Sequence, residues 1–241
     1  MIAAAAPPRA PLGTIDLLLR DRASMLERIR AGVDLMPILR TMIAAIAIAT
    51  AIVGAALGSY RGGVQIAYAA IKLPLVLLGT AALSTPTLSA IGAALGRRAR
   101  FRADLALVIS ALAFGALLLA ACTPLILLGR AIELSYHQMI LGTVGIFAVA
   151  GVASLRMIVR SVAAEHAPGW RAAIAGMCVV FALVGGQLSW ALRPYLVRPR
   201  TPEPVFMRPV EGSLFDAIAG AFQSARGIYS RDRAPVPEPR P

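Results

Sequence analysis

Two polar side chains that can carry chemistry fall inside long apolar stretches of this chain. Lys72 stands in one apolar run, and Gln187 stands in another nearer the C-terminal end. Polar groups at such positions are functional candidates, because apolar surroundings make them costly to retain. An ammonium group is suited to binding an anion, whereas a carboxamide can hydrogen-bond across helices. We take Lys72 and Gln187 as the candidate intramembrane polar site, with structural bonding between helices as the competing interpretation of Gln187.

The other reactive residue types form no recognisable catalytic pattern. His137 and His166 have no Cys or carboxylate nearby at metal-ligand spacing. Cys122 and Cys178 lie within apolar stretches, where they are expected to be small buried residues. No Ser/His/Asp set, phosphate-binding loop or paired carboxylate occurs. The sequence therefore predicts no catalytic, cofactor-binding or metal-binding residues, and a protein that is not an enzyme.

Five stretches without a charged residue, each at least 20 residues long, must position these side chains. They cover residues 41–60, 73–96, 105–129, 134–155 and 172–192. About 20 helical residues, at 1.5 Å per residue, cross a hydrocarbon core about 30 Å thick. Lipid offers no hydrogen-bond partner, so each stretch must be a helix. The predicted fold class is all-α: a polytopic membrane helical bundle of five transmembrane helices over 41–193, with the lipid bilayer as its surroundings.

The second apolar segment is too long for a simple crossing. Residues 64–96 would measure about 50 Å as one helix. Pro74 and Pro86 would each remove a backbone donor and bend it. We expect an interfacial approach over 64–73, with Lys72 extending to the headgroups, and then a crossing kinked near Pro86. A re-entrant pair is the alternative.

The flanks of the bundle are predicted from their periodicity and composition. We expect 1–13 to be disordered and 14–40 to hold a cytoplasmic amphipathic helix, from Thr14 to Gly32, with a lead-in to the first span. This helix either lies on the inner membrane surface or packs on the protein's own loops. A Pro-rich linker and a short amphipathic helix are predicted within 194–230, and a disordered tail over 231–241.

Basic residues are numerous, and their placement argues against nucleic acid as a partner. The formal net charge is +12, and 23 of the 24 basic residues are Arg. Most of them flank the apolar stretches, where membrane topology requires them. No basic face with interleaved aromatic residues occurs, so nucleic-acid binding is not expected.

The same arginines predict the orientation of the bundle. The segment before the first stretch and the four following loops hold six, two, four, one and three basic residues. Lys and Arg concentrate in cytoplasmic loops, so the N-terminus is predicted to be cytoplasmic and the C-terminus periplasmic. Four arginines within 193–208 favour the opposite side for the tail. The Ala- and Arg-rich composition is typical of a GC-rich bacterium, so we expect the bacterial cell inner membrane.

A repeated pentapeptide, GAALG, supplies glycines at the spacing used in helix packing. Its terminal glycines are Gly54, Gly58, Gly92 and Gly96. Glycines four residues apart let helix backbones approach closely, and near a helix end they also serve as caps. We predict packing within the chain, with a homodimer interface as the alternative. Gly142, Gly145 and Gly151 are interpreted in the same way.

The layout resembles that of the Yip1-like membrane proteins: a cytoplasmic N-terminal segment, five spans and an outward C-terminus. Short stretches also look like a pattern in bacterial multi-pass proteins placed near that group; they are 60–63, 69–74, 84–86, 186–194 and 206–215. Eukaryotic members act as trafficking and membrane-shaping scaffolds, and the resemblance implies a scaffold here. It carries over no functional residue.

These observations lead to two functional hypotheses. The first is a non-enzymatic scaffold or accessory subunit of a bacterial inner-membrane assembly, with a membrane-protein partner or a second copy of the chain bound to it. The second is a small channel or transporter that uses the broken second segment, since broken helices often build substrate sites.

Overall fold

The computed structural model describes residues 11–96, 100–165, 169–192, 195 and 206, all within a compact unit covering 1–208. This part of the chain forms eight helices: α1 (Pro11–Arg20), α2 (Arg22–Ala31), α3 (Leu35–Gly58), α4 (Gln65–Ala94), α5 (Phe101–Ala121), α6 (Thr123–Ala131), α7 (Tyr136–Ala163) and α8 (Trp170–Ala191). No strand occurs among the described residues. The segment predicted to be disordered, 1–13, is partly wrong, because α1 already begins at Pro11; residues 1–10, the short C-terminal helix and the tail over 231–241 lie outside the described ranges.

Five helices are long and apolar enough to cross a membrane. They are α3, α4, the combined α5–α6, α7 and α8, and they contain 22 to 31 residues each. At 1.5 Å per residue these lengths exceed a hydrocarbon core about 30 Å thick. The predicted fold class is confirmed, and the protein is a multi-pass membrane helical bundle.

Helix α5 is the centre of the bundle. The most apolar 18-residue window of α5–α6 is 67% buried, whereas that of α7 or α8 is 17% buried. Every residue from Ala106 to Ala116 is buried, which is typical of a helix that is apolar on all faces. Helix α3 packs along α5 and α4, α8 packs on α4, and α7 packs on α5.

The amphipathic segment predicted as one helix from Thr14 to Gly32 is two helices. The Asp21 side chain accepts hydrogen bonds from the Ser24 backbone amide and hydroxyl, so it begins α2 instead of continuing α1. These bonds also lower the pKa of Asp21, the side-chain bond contributing most. Gly32 ends α2 in the left-handed conformation, as expected of a C-cap glycine.

The apolar residues of α1 and α2 pack on the bundle. Leu18 and Met25 are fully buried in the main apolar core, together with residues of α3 and α5. Of the two alternatives left open by the sequence, the structure favours packing on the protein, although the contacts are with helices and not with loops.

Helix α4 is continuous from Gln65 to Ala94 and contains both Pro74 and Pro86. The helix therefore begins eight residues before the predicted span at 73–96, and the alternative of a re-entrant pair is wrong; where within α4 the crossing begins stays a prediction. A transmembrane helix tolerates proline because neighbouring helices can satisfy the backbone groups that the proline leaves without a hydrogen bond. Close contact of α3 and α8 with α4 provides that support.

Candidate functional site

Lys72 is enclosed by aromatic rings on the inner side of α4. Its side chain is fully buried. The ammonium nitrogen lies 5.9 Å from the ring centroid of Tyr68, one turn earlier on α4, and 4.8 Å from that of Phe206. The two rings meet edge to face, with centroids 5.1 Å apart. Both distances fall within the range of a cation–π interaction, which is strongest where water is excluded.

This enclosure differs from the expectation that Lys72 extends to the headgroups. A lysine that extended in this way would expose its amine, whereas Lys72 faces protein. Because Phe206 covers the ammonium group, an anion would have to displace this ring to reach it. This geometry favours a structural contact between α4 and the segment after α8, and it does not favour an open binding site.

A second contact joins the same two parts of the chain. The Gln65 side-chain amide donates a hydrogen bond of 3.1 Å to the Tyr195 backbone oxygen, and Gln65 is fully buried. The Tyr195 hydroxyl donates to the Ser189 carbonyl oxygen at 3.2 Å. Burial raises the pKa of Tyr195. The hydroxyl therefore stays protonated, and remains a donor, throughout the physiological pH range.

Two further tyrosines lie at this end of the bundle. Tyr60 follows α3 and donates a hydrogen bond of 3.2 Å to the Leu134 carbonyl oxygen, in the connection between α6 and α7. Tyr136 begins α7 at the same end, with its ring against His137. Tyrosine is enriched where one end of the ring is apolar and the other is hydrated.

Gln187 lies half-buried on α8, away from Lys72 along the bundle axis. A β-carbon on Gly185 would lie 3.1 Å from the Thr80 methyl group, and one on Gly79 would lie 2.9 Å from the Leu188 side chain. Gln187 is thus level with residues 79 and 80 of α4, about 10 Å from the level of Lys72 at 1.5 Å per residue. The structure does not bring the two predicted polar residues together.

The glycines of the first pentapeptide mediate contact within the chain. A β-carbon on Gly54 would overlap the Ala69 carbonyl group, and one on Gly58 would overlap that of Gln65. These overlaps show that α3 and α4 approach backbone to backbone, as small-residue packing allows. In the second pentapeptide, Gly92 is buried in α4. Gly96 lies just beyond the end of α4 with φ of +87°, a conformation that suits glycine.

A buried polar pair at the opposite end of the bundle was not foreseen as a contact. The Ser89 hydroxyl on α4 donates a hydrogen bond of 2.6 Å to the carboxyl group of Asp104, which is 1% exposed. Asp104 lies in the first turn of α5, where the helix dipole favours negative charge. The apolar stretch counted from the sequence begins after Asp104, so only the tertiary contact shows that this residue is internal.

Two apolar cavities lie between α7 and its neighbours, with volumes of about 250 and 200 Å³. They share Leu112, Gly151, Ser154 and Phe181 among their lining residues. Neither is lined by a charged residue.

Metal-ligating residues do not cluster in the described ranges. Within them, no group of three His, Cys, Asp or Glu side chains is close enough to hold a metal ion. His137 lies in the first turn of α7, whereas His166 lies outside these ranges.

Comparisons with family models, with curated proteins and with solved structures gave no match. The resemblance to Yip1-like proteins therefore stays a prediction, and the structure alone supports the fold: a five-span membrane helical bundle with an aromatic enclosure around Lys72.

Proposed function

We propose that the protein is a non-enzymatic scaffold or accessory subunit of a bacterial inner-membrane assembly. In this proposal the N-terminus is cytoplasmic and the C-terminus periplasmic, as the alternation of basic residues favours. The scaffold role agrees with the resemblance to Yip1-like proteins. Its structural support comes from α7.

The outer face of α7 carries glycines that have no neighbour in the described part of the chain. A β-carbon on Gly142 or Gly145 would meet no atom within 4 Å. Glycine weakens a helix relative to alanine, and facing lipid it gains no packing in return. Glycines at the α3–α4 contact, by contrast, allow two backbones to approach.

The partner best suited to this face is another transmembrane helix. Val149 and Val152, four and seven residues after Gly145 and therefore on its helix face, are also exposed, so the surface beside the glycines is apolar. Small residues flanked by β-branched side chains allow close helix packing in lipid. The helix belongs to a membrane-protein partner or to a second copy of this chain.

Replacing both glycines by leucine tests this function. We expect the Gly142→Leu/Gly145→Leu variant to lose a partner that co-purifies with the wild type from native membranes in mild detergent. Each leucine projects into open space, so the bundle itself should fold normally. Ala44→Leu, at an exposed position on α3, places a leucine on another face and should retain the partner.

Two results would contradict the proposal. One is recovery of the wild-type protein alone, with neither a partner nor a second copy bound. The other is equal retention of the partner by the double variant and by Ala44→Leu.

The channel or transporter hypothesis is the second candidate, and buried Lys72 is the observation that favours it. The continuity of α4 removes its other support, because the helix is not unwound at Pro74 or Pro86. Flux measurements on purified protein in liposomes separate the two functions. Selective transport by the wild-type protein that is lost in Lys72→Ala would contradict the scaffold proposal and support a transporter.

A further inference from the structure

A cavity of about 400 Å³ lies between α2, α5 and α7. Three arginines and three large apolar side chains line it: Arg22, Arg156, Arg160, Leu26, Phe114 and Met157. We call this space the arginine cavity. Arg22 lies far from Arg156 and Arg160 in the sequence, where all three served only as topology signals, so folding alone brings Arg22 to the other two.

Helix α7 contributes two of the charges. Arg156 and Arg160 are four residues apart and therefore lie one above the other on the same helix face. Met157 and Ala153 continue this face into the cavity. Like charges at this spacing repel each other, and an anion bound between them would remove the repulsion.

Helix α2 contributes the third charge, which Phe114 orients. The guanidinium carbon of Arg22 lies 4.5 Å from the centroid of the Phe114 ring, and Phe114 is almost fully buried. A guanidinium group stacked on an aromatic face keeps its N–H groups free at the edge. Those donors match the oxygens of a phosphate group, which arginine binds with two parallel hydrogen bonds.

No carboxylate in the described ranges forms an ion pair with these three arginines. Three acidic residues of this region are engaged elsewhere, whereas Glu27, exposed on α2, forms no ion pair with a described residue. Asp16 pairs with Arg20, Asp34 pairs with Arg28, and Asp21 accepts hydrogen bonds from Ser24. The cavity therefore keeps a local excess of positive charge.

The uncharged stretch of α7 places the cavity at the headgroup level of a bilayer, although the lining residue Phe114 belongs to the uncharged stretch 105–129 of α5. The charge-free stretch of α7 ends at Leu155, immediately before Arg156. From Tyr136 to Leu155 the helix rises about 30 Å, the thickness of the hydrocarbon core. A lipid phosphate is held at this level, and its glycerol and first methylene groups would contact the apolar side chains of the cavity.

We propose that the arginine cavity binds the phosphate group of an anionic membrane lipid. Arg156 and Arg160 hold the phosphate from α7, and Arg22 closes on it from α2. The site requires no partner protein, so it stands or falls independently of the scaffold role.

Native mass spectrometry of the purified full chain in detergent tests this site, with phosphatidylglycerol as the probe and phosphatidylcholine of the same chain length as its comparison. We expect Arg156→Gln/Arg160→Gln to weaken phosphatidylglycerol binding by about tenfold or more, because charge-assisted hydrogen bonds are lost. Arg22→Gln should also weaken it, from a different helix. Like the three cavity arginines, Arg40 and Arg130 are exposed, but they lie outside the cavity, so Arg40→Gln/Arg130→Gln removes the same charge and should bind as the wild type does.

Far-UV circular dichroism confirms that each variant has folded. Equal weakening in the two double variants would reduce the effect to net charge and overturn the proposal, as would equal binding of the two lipids by the wild type. Inorganic phosphate alone and oleate provide two further arms. Inorganic phosphate bound as tightly as phosphatidylglycerol would overturn the lipid source, and oleate bound as tightly would overturn the phosphate.

Discussion

The contact between α3 and α4 predicts that the same substitution, glycine to alanine, lowers the stability of the protein at Gly54 but not at Gly142. Gly54→Ala adds one methyl group where α4 leaves no room. The new β-carbon would lie 2.7 Å from the Ala69 carbonyl carbon and 2.9 Å from the Ala70 α-carbon. Carbon atoms normally approach to about 3.5–4.0 Å, so the two helices would have to separate by roughly 1 Å.

The size of the effect follows from which atoms are in the way. Overpacking costs about 1–3 kcal/mol, and the upper end applies because a backbone cannot rotate aside as a side chain can. Alanine recovers about 1 kcal/mol through its higher helix propensity. We expect Gly54→Ala to lower the free energy of unfolding by about 2 kcal/mol, which is roughly a 30-fold change in the unfolding equilibrium.

Gly142→Ala is the matched control, because a β-carbon on Gly142 meets nothing within 4 Å. It should leave stability unchanged or raise it by up to about 1 kcal/mol. Unfolding in mixed micelles with increasing sodium dodecyl sulfate, followed by far-UV circular dichroism, measures both variants. If Gly54→Ala unfolds at the same detergent fraction as the wild type, or at a higher one, the backbone contact between α3 and α4 does not exist in the native protein.

Three further predictions concern polar contacts at helix ends. Asp21→Ala should increase amide hydrogen exchange in the first turn of α2. Because folding lowers the pKa of Asp21, the wild type should keep this protection above the ordinary Asp pKa of about 3.9 and lose it as the pH falls through the lower folded value. Exchange that does not depend on the protonation of Asp21 would contradict the cap. Ser135→Ala removes a capping box from α7 and should cost about 1 kcal/mol in the same micelle assay, with no change expected if that first turn is already frayed. Ser89→Ala removes a donor from the buried Asp104 carboxyl group and should cost about 1–3 kcal/mol, which Ser89→Thr should largely restore; equal stability of Ser89→Ala and the wild type would argue against this bond.

The spans were predictable because their signal is local. A helix in lipid must be long, apolar and free of charge, and each of these properties can be read from consecutive residues. The stretch 172–192 corresponds closely to α8, at Trp170–Ala191. The stretch 134–155 ends eight residues before α7 does, because Arg156 and Arg160 interrupt the apolar run without interrupting the helix.

In the N-terminal flank, the apolar periodicity correctly predicted helix but wrongly predicted one helix in place of α1 and α2. The apolar periodicity between Thr14 and Gly32 continues past Asp21, so it predicted one helix. A side chain that caps α2 decides the break, through hydrogen bonds to Ser24. Asp21 occurs as readily on the polar face of an uninterrupted helix, and periodicity alone does not separate these two roles.

By itself, the sequence determined that this chain is a helical membrane bundle, because the requirement for apolar, self-bonded backbone acts on each segment separately. Only the tertiary structure decided which polar groups meet. It separated Lys72 from Gln187, placed Lys72 against Phe206, and gathered Arg22 with Arg156. These pairings depend on how helices lie against one another, and contacts between residues distant in the chain leave no periodic signal along it.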